Sequence, residues 1–183
     1  MDWRSKAEAI FNKHGYSQVR PFMTVDFGRV QSVEAVSVIA LEAESHALIT
    51  RIRADLPAYL VAFIGTTRWL GKQKEKGVEI VIGQASNQFD IVRLAQTDAA
   101  NYDMMNEDII SKLQAYDDQY GIDVLAAETE GLTFRLKRKL DDSERRGFAT
   151  DFAEFCPDIV GYYGEDDFAE LLISTREIIC WWD

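Results

Sequence analysis

The stretch EIICWWD, residues 177–183, predicts a β-strand that carries large apolar side chains on both of its faces. Successive side chains of a strand point to opposite faces, so Trp182 would lie on one face and Trp181 on the other. Neither face then favours contact with water, which is typical of a strand inside a sheet that is covered on both sides. We therefore expect an interior strand that is held in place by the burial of its two tryptophans.

The length and composition are those of an ordinary globular protein. The 183 residues, 47% of them hydrophobic, fit one large domain or two small halves that share a core. The apolar run 56–64 is too short to span a bilayer, and residues 1–13 lack the uninterrupted apolar core of a signal peptide. We expect a cytoplasmic protein that does not bind a membrane.

The chain is strongly acidic, with a net charge of -11 and a pI of about 4.7. Its negative field would repel phosphate groups, so we do not expect nucleic acid as a partner. The same field would attract a cationic protein partner. Acidity of this degree is also typical of proteins that need it only for solubility, and the sequence leaves both interpretations open, as it does the oligomeric state.

Motifs for metal or cofactor binding are missing from the sequence. Cys156 and Cys180 are too few for a disulfide framework or a cysteine-rich zinc site, and we expect both thiols to be reduced. There is no glycine-rich phosphate loop, no HExxH, no GxSxG and no EF-hand spacing. We predict no metal ion and no cofactor.

Hydrophobic periodicity predicts short helices and strands in the N-terminal portion, residues 1–87. Pro21 and Gly28 indicate extended chain and turns at residues 16–31 rather than a regular element. The other predicted elements of this portion are, in order, a helix at 3–14, a strand at 33–41, a helix at 42–56, a strand at 58–64, a polar loop with solvated lysines at 65–77 and a strand at 78–82.

Residues 88–183 predict a second portion with the element order of a ferredoxin-like fold. The predicted elements are a strand at 88–96, a helix at 106–120 with Asn106 as its N-cap, strands at 122–127 and 132–137, a helix that begins at 141–143 and ends at Pro157, a turn bracketed by Gly161 and Gly164, a short helix, and the strand 177–183. This is the split βαβ arrangement of an α+β sandwich. A helix is the alternative for 88–96. Residues 1–87 would extend this sheet or share its core.

Three short signatures lie in the second portion: NYD at 101–103, FCPD at 155–158 and WWD at 181–183. With these and the segment QFDIVRLAQTDAANYDMMNEDIISKLQAYDDQYGIDVL, residues 88–183 resemble the bacterial domain-of-unknown-function 4253 family. Family members commonly have a Gln-Gly pair after the PDIV run, where this chain has Gly161-Tyr162-Tyr163. The resemblance implies no activity. By analogy with other small acidic bacterial proteins it suggests an immunity-type or regulatory protein.

The signatures lie at the ends of predicted elements, and loops at one end of a sheet can converge. They would then line a polar cleft for a small molecule or for hydrolysis. The candidate residues of that cleft are Asn101, Tyr102, Asp103, Cys156, Asp158 and Asp183. The alternative role is structural, because Asn and Asp cap helices, a Cys-Pro pair ends one and tryptophans fill a core.

Catalysis by Cys156 would require a base that holds the thiol as a thiolate, and this is usually a histidine. The two histidines, His14 and His46, lie in the other portion of the chain, and no signature links either of them to Cys156. We therefore predict a binding or interaction module in preference to an enzyme.

Overall fold

In a computed structural model, residues 2–24, 31–66 and 77–182 are described, and they form an α+β fold. Within these ranges the chain forms seven α-helices, one short 3-10 helix and seven β-strands. Most of the predicted lysine loop and Asp183 lie outside the described residues. The chain divides into two compact units, the first made of Met1–Gln96 with Ala126–Thr129 and the second of Thr97–Leu125 with Glu130–Asp183.

The first unit is built from antiparallel strands and three helices. Its elements are α1 (Trp3–Lys13), β1 (Arg20–Met23), β2 (Gln31–Ala40), α2 (Glu42–Ala54), β3 (Leu60–Thr66), β4 (Val78–Gln84) and α3 (Asp90–Ala95), and the last residues of β5 (Ile122–Glu128) also belong to it. The strand order is β1-β2-β4-β3-β5. β5 runs parallel to β3, with Ile64 paired to Ala126, and the other pairs are antiparallel. The helices and strands predicted at 3–14, 33–41, 42–56, 58–64 and 78–82 are confirmed.

Strand β1 lies where we expected only extended chain and turns, so that prediction is wrong. The strand is four residues long and contains Pro21, which is compatible with the end of a sheet because Pro cannot donate a hydrogen bond to a second neighbour. Tertiary contacts hold it in place. The Arg20 guanidinium lies 3.3 Å from the buried Glu79 carboxylate, and the Phe22 ring packs edge-on against Phe63 at 5.6 Å.

The segment 88–96 forms the helix α3 and not a strand, so the predicted first strand of the ferredoxin-like unit is wrong. Asp90 starts the helix and its carboxylate accepts hydrogen bonds from the backbone N–H groups of Ser86 and Asn87. Gln96 ends it with a φ of 56°. The apolar residues of α3 are all buried, so their run carries no alternation that distinguishes a strand from a buried helix. Without a strand at 88–96, the split βαβ order is not formed.

The second unit packs four helices on strands of its own. Its elements are the 3-10 helix Ala100–Tyr102, α4 (Asn106–Tyr120), the first residues of β5, β6 (Gly131–Leu136), α5 (Asp142–Phe155), α6 (Pro157–Tyr163), α7 (Glu165–Ser174) and β7 (Glu177–Trp181). β6 lies between β5 and β7. β6 and β7 are antiparallel, with Leu132 opposite Cys180.

Two helix ends in this unit differ from the prediction. Met105, not Asn106, is the N-cap of α4, and its N–H bonds to the Asp108 carboxylate at 2.9 Å. The expected turn bracketed by Gly161 and Gly164 is the helix α6. Pro157 starts that helix because its fixed φ suits the first helical turn, and Cys156 is both the C-cap of α5 and the N-cap of α6.

A cluster of aromatic rings forms the core of the second unit. The Phe152 ring stacks on Phe168 at 5.0 Å and on Phe148 at 5.4 Å, and Tyr116 contacts Phe148 at 5.1 Å. All of these side chains are buried. Burial of an aromatic side chain contributes a few kcal/mol, and the paired rings add about 0.5–1.5 kcal/mol for each contact. This cluster holds α4, α5 and α7 together.

Strand β7 has one buried face and one exposed face. Ile178, Cys180 and Trp182 point into the core, and the Trp182 indole N–H donates a 2.9 Å hydrogen bond to the Phe155 carbonyl. On the other face, Ile179 is 59% exposed and Trp181 is 43% exposed. The expectation that both faces avoid water is therefore wrong for one face. Trp182 anchors the strand and Trp181 does not.

Candidate functional site

The NYD signature lies in a short loop that the backbone closes on itself. The N–H of Ala99 bonds to the carbonyl of Met104 at 2.9 Å, and the N–H of Met104 bonds back to Ala99 at 3.2 Å. Between them the chain makes one 3-10 turn, and Asp103 leaves it with a φ of 57°. A small acidic residue tolerates this left-handed conformation better than a bulky one. The loop presents Tyr102 at the surface of the second unit.

The Tyr102 hydroxyl donates a 2.7 Å hydrogen bond to Oδ1 of Asp158. Asp158 is the second residue of α6, directly after Pro157. The contact joins residues 56 positions apart within the second unit. It places the NYD and FCPD signatures side by side, through Tyr102 and Asp158.

Two tyrosines that the sequence analysis did not select extend this contact along α6. Tyr162 follows Asp158 by four positions, so the two side chains lie on the same face of the helix. Tyr162 is 82% exposed, and its ring packs edge-on against Tyr163 at 5.0 Å. The four-residue spacing from Asp158 is the signal that would have found Tyr162. We call the surface formed by Tyr102, Asp158, Tyr162 and Tyr163 the tyrosine–acid surface.

The two chain segments that carry the tyrosine–acid surface contain charge of one sign. Residues 97–111 contain four acidic residues and no lysine or arginine. Residues 147–175 contain seven acidic residues and again no lysine or arginine. Like charges that are concentrated in one part of a surface attract ions of the opposite sign over several ångströms. The surface is therefore suited to a cationic group and unsuited to an anionic one.

The other predicted site residues have different positions. Asn101 and Asp103 are exposed in the same loop as Tyr102, whereas Cys156 is fully buried at the junction of α5 and α6. The Cys156 sulfur lies 3.3 Å from both the backbone N and the backbone O of Trp181. Asp183 lies outside the described residues. The structure thus brings Tyr102 and Asp158 into contact, and Cys156 to the WWD segment.

The surroundings of Cys156 do not resemble those of a catalytic cysteine. Its neighbours include the backbone of Trp181 and of Ile159 and the thiol of Cys180. His14 belongs to the first unit, where its Nε2 lies 2.8 Å from Oδ2 of Asp55. Among the described residues, no group of three or more His, Cys, Asp or Glu side chains is placed to hold a metal ion. The hydrolytic hypothesis therefore gains no support from this arrangement.

The described part of the first unit carries several surface cavities. One of about 620 Å³ is lined by residues 15–20 together with Val38 and Ile39. Two smaller ones, of about 370 and 200 Å³, share Glu34, Arg93 and Leu94. The signature residues line none of these three cavities.

A family comparison covers the whole tyrosine–acid surface. The model of a domain of unknown function, DUF4253, matches residues 79–183, which is more than half of the chain. The chain belongs to the DUF4253 family. The DUF4253 match starts within β4 and includes every element from α3 to β7. No curated protein and no solved structure matches this DUF4253 chain. None of the helices in the described ranges combines the length and the hydrophobicity that a membrane crossing needs.

Proposed function

We propose that the chain is a protein-interaction module whose tyrosine–acid surface binds a cationic segment of a partner protein. The observation that carries this proposal is the hydrogen bond between the Tyr102 hydroxyl and the Asp158 carboxylate. It holds an aromatic ring beside a carboxylate at the surface, within two segments that contain only acidic charges. The proposed role is that of an immunity-type or regulatory protein.

The chemistry of the surface favours arginine or lysine side chains. An exposed tyrosine ring attracts a cation at its face by about 0.5–1 kcal/mol, and the Asp158 carboxylate offers acceptor oxygens for the same group. Tyrosine also loses little conformational entropy on binding, because it has only two side-chain torsions. The exposed rings of Tyr162 and Tyr163 would therefore provide contact area at low cost.

We place this interaction in the cytoplasm. Both cysteines are free thiols in the structure. Free thiols suit a reducing compartment, where disulfides are rare.

A nuclear magnetic resonance titration with defined peptides tests the proposal. An isotope-labelled sample of the full chain is titrated with a nine-residue peptide of alternating arginine and glycine, and separately with a peptide in which glutamine replaces each arginine. We expect the arginine peptide to shift the amide signals of residues 101–103 and 158–163, and the glutamine peptide to leave them unchanged. The shifts should weaken as the salt concentration rises, because ions screen the attraction.

A matched pair of tyrosine substitutions locates the binding surface. Tyr162→Ser removes an exposed ring from the tyrosine–acid surface, and we expect the affinity for the arginine peptide to fall about two- to fivefold, as the loss of one cation–π contact predicts. Tyr59→Ser removes a ring that is 50% exposed in the first unit, and the affinity should not change. Amide signal shifts that lie only outside residues 101–103 and 158–163, or an equal loss of affinity in both variants, would contradict the proposal.

A further inference from the structure

The only two cysteines of the chain lie together in the second unit, although 24 positions separate them in the sequence. Cys156 is the residue at which α5 ends and α6 begins, and Cys180 lies on β7. Both side chains are buried, both are free thiols, and each thiol influences the pKa of the other. Strand β7 and the junction of α5 and α6 thus contribute one buried sulfur atom each to the core of the second unit.

The position of the Cys156 sulfur is defined by the backbone next to Cys180. It lies 3.3 Å from the N and 3.3 Å from the O of Trp181, the residue that follows Cys180. Cys180 points to the buried face of β7, towards the helices, and is therefore on the same side of the strand as the core.

We propose that Cys156 and Cys180 are a redox-active pair, a modification site at which hydrogen peroxide closes an intramolecular disulfide. In the first step the Cys156 sulfur, as its thiolate, attacks a peroxide oxygen. A sulfur–oxygen bond forms, the oxygen–oxygen bond breaks, and the released hydroxide leaves as water with the proton of the thiol. The product is a sulfenic acid on Cys156.

In the second step the Cys180 sulfur attacks the sulfur of that sulfenic acid. The sulfur–sulfur bond forms, the sulfur–oxygen bond breaks, and the departing hydroxide takes the proton of the Cys180 thiol to leave as a second water. Two thiols are oxidised to one disulfide, and hydrogen peroxide is reduced to two waters. A dithiol reductant reverses the reaction by exchange.

The surroundings of the two sulfurs indicate which one reacts first. The Cys156 sulfur accepts a 3.3 Å hydrogen bond from the Trp181 N–H, which stabilises a thiolate. The interaction with Cys180 and this hydrogen bond lower the pKa of Cys156, whereas burial raises the pKa of Cys180. Since the thiolate is the nucleophile, Cys156 is the residue that attacks the peroxide and Cys180 the residue that closes the disulfide.

Oxidation would also change the outer edge of β7, the edge that faces away from β6. The backbone bonds from Trp182 to Glu130 and from Leu136 to Arg176 show that the even-numbered residues of β7 pair with β6. The N–H and C=O groups of Trp181 therefore point away from β6, and the Cys156 thiol bonds to both of them. A disulfide has no S–H, so it cannot donate to the Trp181 carbonyl. The pair thus links the redox state to the hydrogen bonds that hold the outer edge of β7 against the junction of α5 and α6.

Peptide mapping of the oxidised full chain tests this proposal. The reduced protein is treated with hydrogen peroxide, its remaining thiols are blocked with N-ethylmaleimide under denaturing conditions, and the digest is analysed by mass spectrometry. We expect one peptide with Cys156 and one with Cys180, joined by a disulfide and together two hydrogen atoms lighter than the two separate peptides. The oxidised chain should carry no covalent link to a second chain. Full labelling of both cysteines by N-ethylmaleimide, or disulfides between chains, would overturn it.

Two single variants test the order of the steps. In Cys180→Ala the sulfenic acid on Cys156 has no partner, so dimedone should label Cys156 after peroxide treatment. In Cys156→Ala, Cys180 should stay reduced under the same treatment. Dimedone labelling of Cys180 in place of Cys156 would contradict the assigned order. Circular dichroism checks that each variant is folded. If a variant does not fold, the peptide map of the unsubstituted chain still decides whether the disulfide between Cys156 and Cys180 forms.

Discussion

The hydroxyl of Tyr102 and the carboxylate of Asp158 lie 2.7 Å apart and join a loop to the first turn of α6. Tyr102→Phe removes this hydrogen bond and keeps the ring. We expect the free energy of unfolding to fall by about 0.5–1.5 kcal/mol, since one hydrogen bond at a partly exposed position is lost. Urea denaturation measures the change. Tyr162→Phe is the control because no described hydrogen bond involves the Tyr162 hydroxyl, and equal effects of the two changes would contradict the role of Tyr102.

The two neighbouring tryptophans should differ sharply in their contribution to stability. Trp182→Ala empties a core position, removes the contact with Phe155 at 5.4 Å and leaves the Phe155 carbonyl without its indole donor. We expect a loss of about 3–5 kcal/mol. Trp181→Ala changes an exposed side chain, and we expect a loss of less than about 1 kcal/mol. Thermal and urea unfolding of both variants measure this, and a reversed order would show that the faces of β7 are assigned wrongly.

Acid should weaken the N-terminus of α5 through Glu144. Hydrogen bonds from the Arg138 guanidinium, at 2.7 and 2.8 Å, and from the Asp141 N–H, at 3.0 Å, lower the pKa of Glu144 from 4.5 to about 2. The folded state therefore binds this proton less readily than the unfolded state does. The stabilisation is complete above pH 4.5 and is lost as the pH falls from about 4.5 to about 2.

Glu144→Gln tests that pH dependence. The variant should be less stable than the unsubstituted chain at pH 7, and the difference should shrink as the pH falls below about 4. Glu154→Gln changes an exposed carboxylate further along α5 and is the control. A difference between Glu144→Gln and the unsubstituted chain that is the same at pH 7 and at pH 2.5 would rule out the linkage. Urea denaturation at each pH supplies the values.

Two glycines near the end of α6 should respond in opposite directions to alanine. Gly161 lies inside the helix, and a methyl group there would meet nothing within 4 Å, so Gly161→Ala should stabilise the chain by about 0.5–1 kcal/mol. Gly164 ends the helix with a φ of 85°, and Gly164→Ala should destabilise by about 1–2 kcal/mol because of backbone strain. Melting temperatures of both variants measure this, and a gain in stability for Gly164→Ala would contradict the left-handed assignment.

Most helices and strands could be predicted from the sequence because their signals are local. The apolar stripe of α4 ends at Gly121, which has a φ of 70° as expected, and Asp141 caps α5 together with Glu144. The prediction of a strand at 88–96 was wrong because a short run of buried apolar residues is compatible with both a strand and a helix. Strand β1 was not predicted because the residues that hold it in place, among them Glu79 and Phe63, are distant in the sequence.

The candidate site was predictable only in part. The signatures NYD and FCPD pointed to Tyr102 and Asp158, and the structure brings these two side chains together. Tyr162 was missed because residues 161–164 were predicted as a turn, which hides its four-residue spacing from Asp158. The burial of Cys156 could not be predicted either, since it depends on how β7 packs against the junction of α5 and α6.

By itself the sequence determined the α+β class, the acidic character of the chain and the approximate limits of most elements, because composition, periodicity and capping act between neighbouring residues. The tertiary structure decided which face of β7 is buried, that 88–96 is a helix and that Tyr102 meets Asp158. Each of these depends on contacts between residues far apart in the chain. Tertiary packing determines such contacts, because the sequence around an apolar residue or a carboxylate does not indicate which distant residue it will contact.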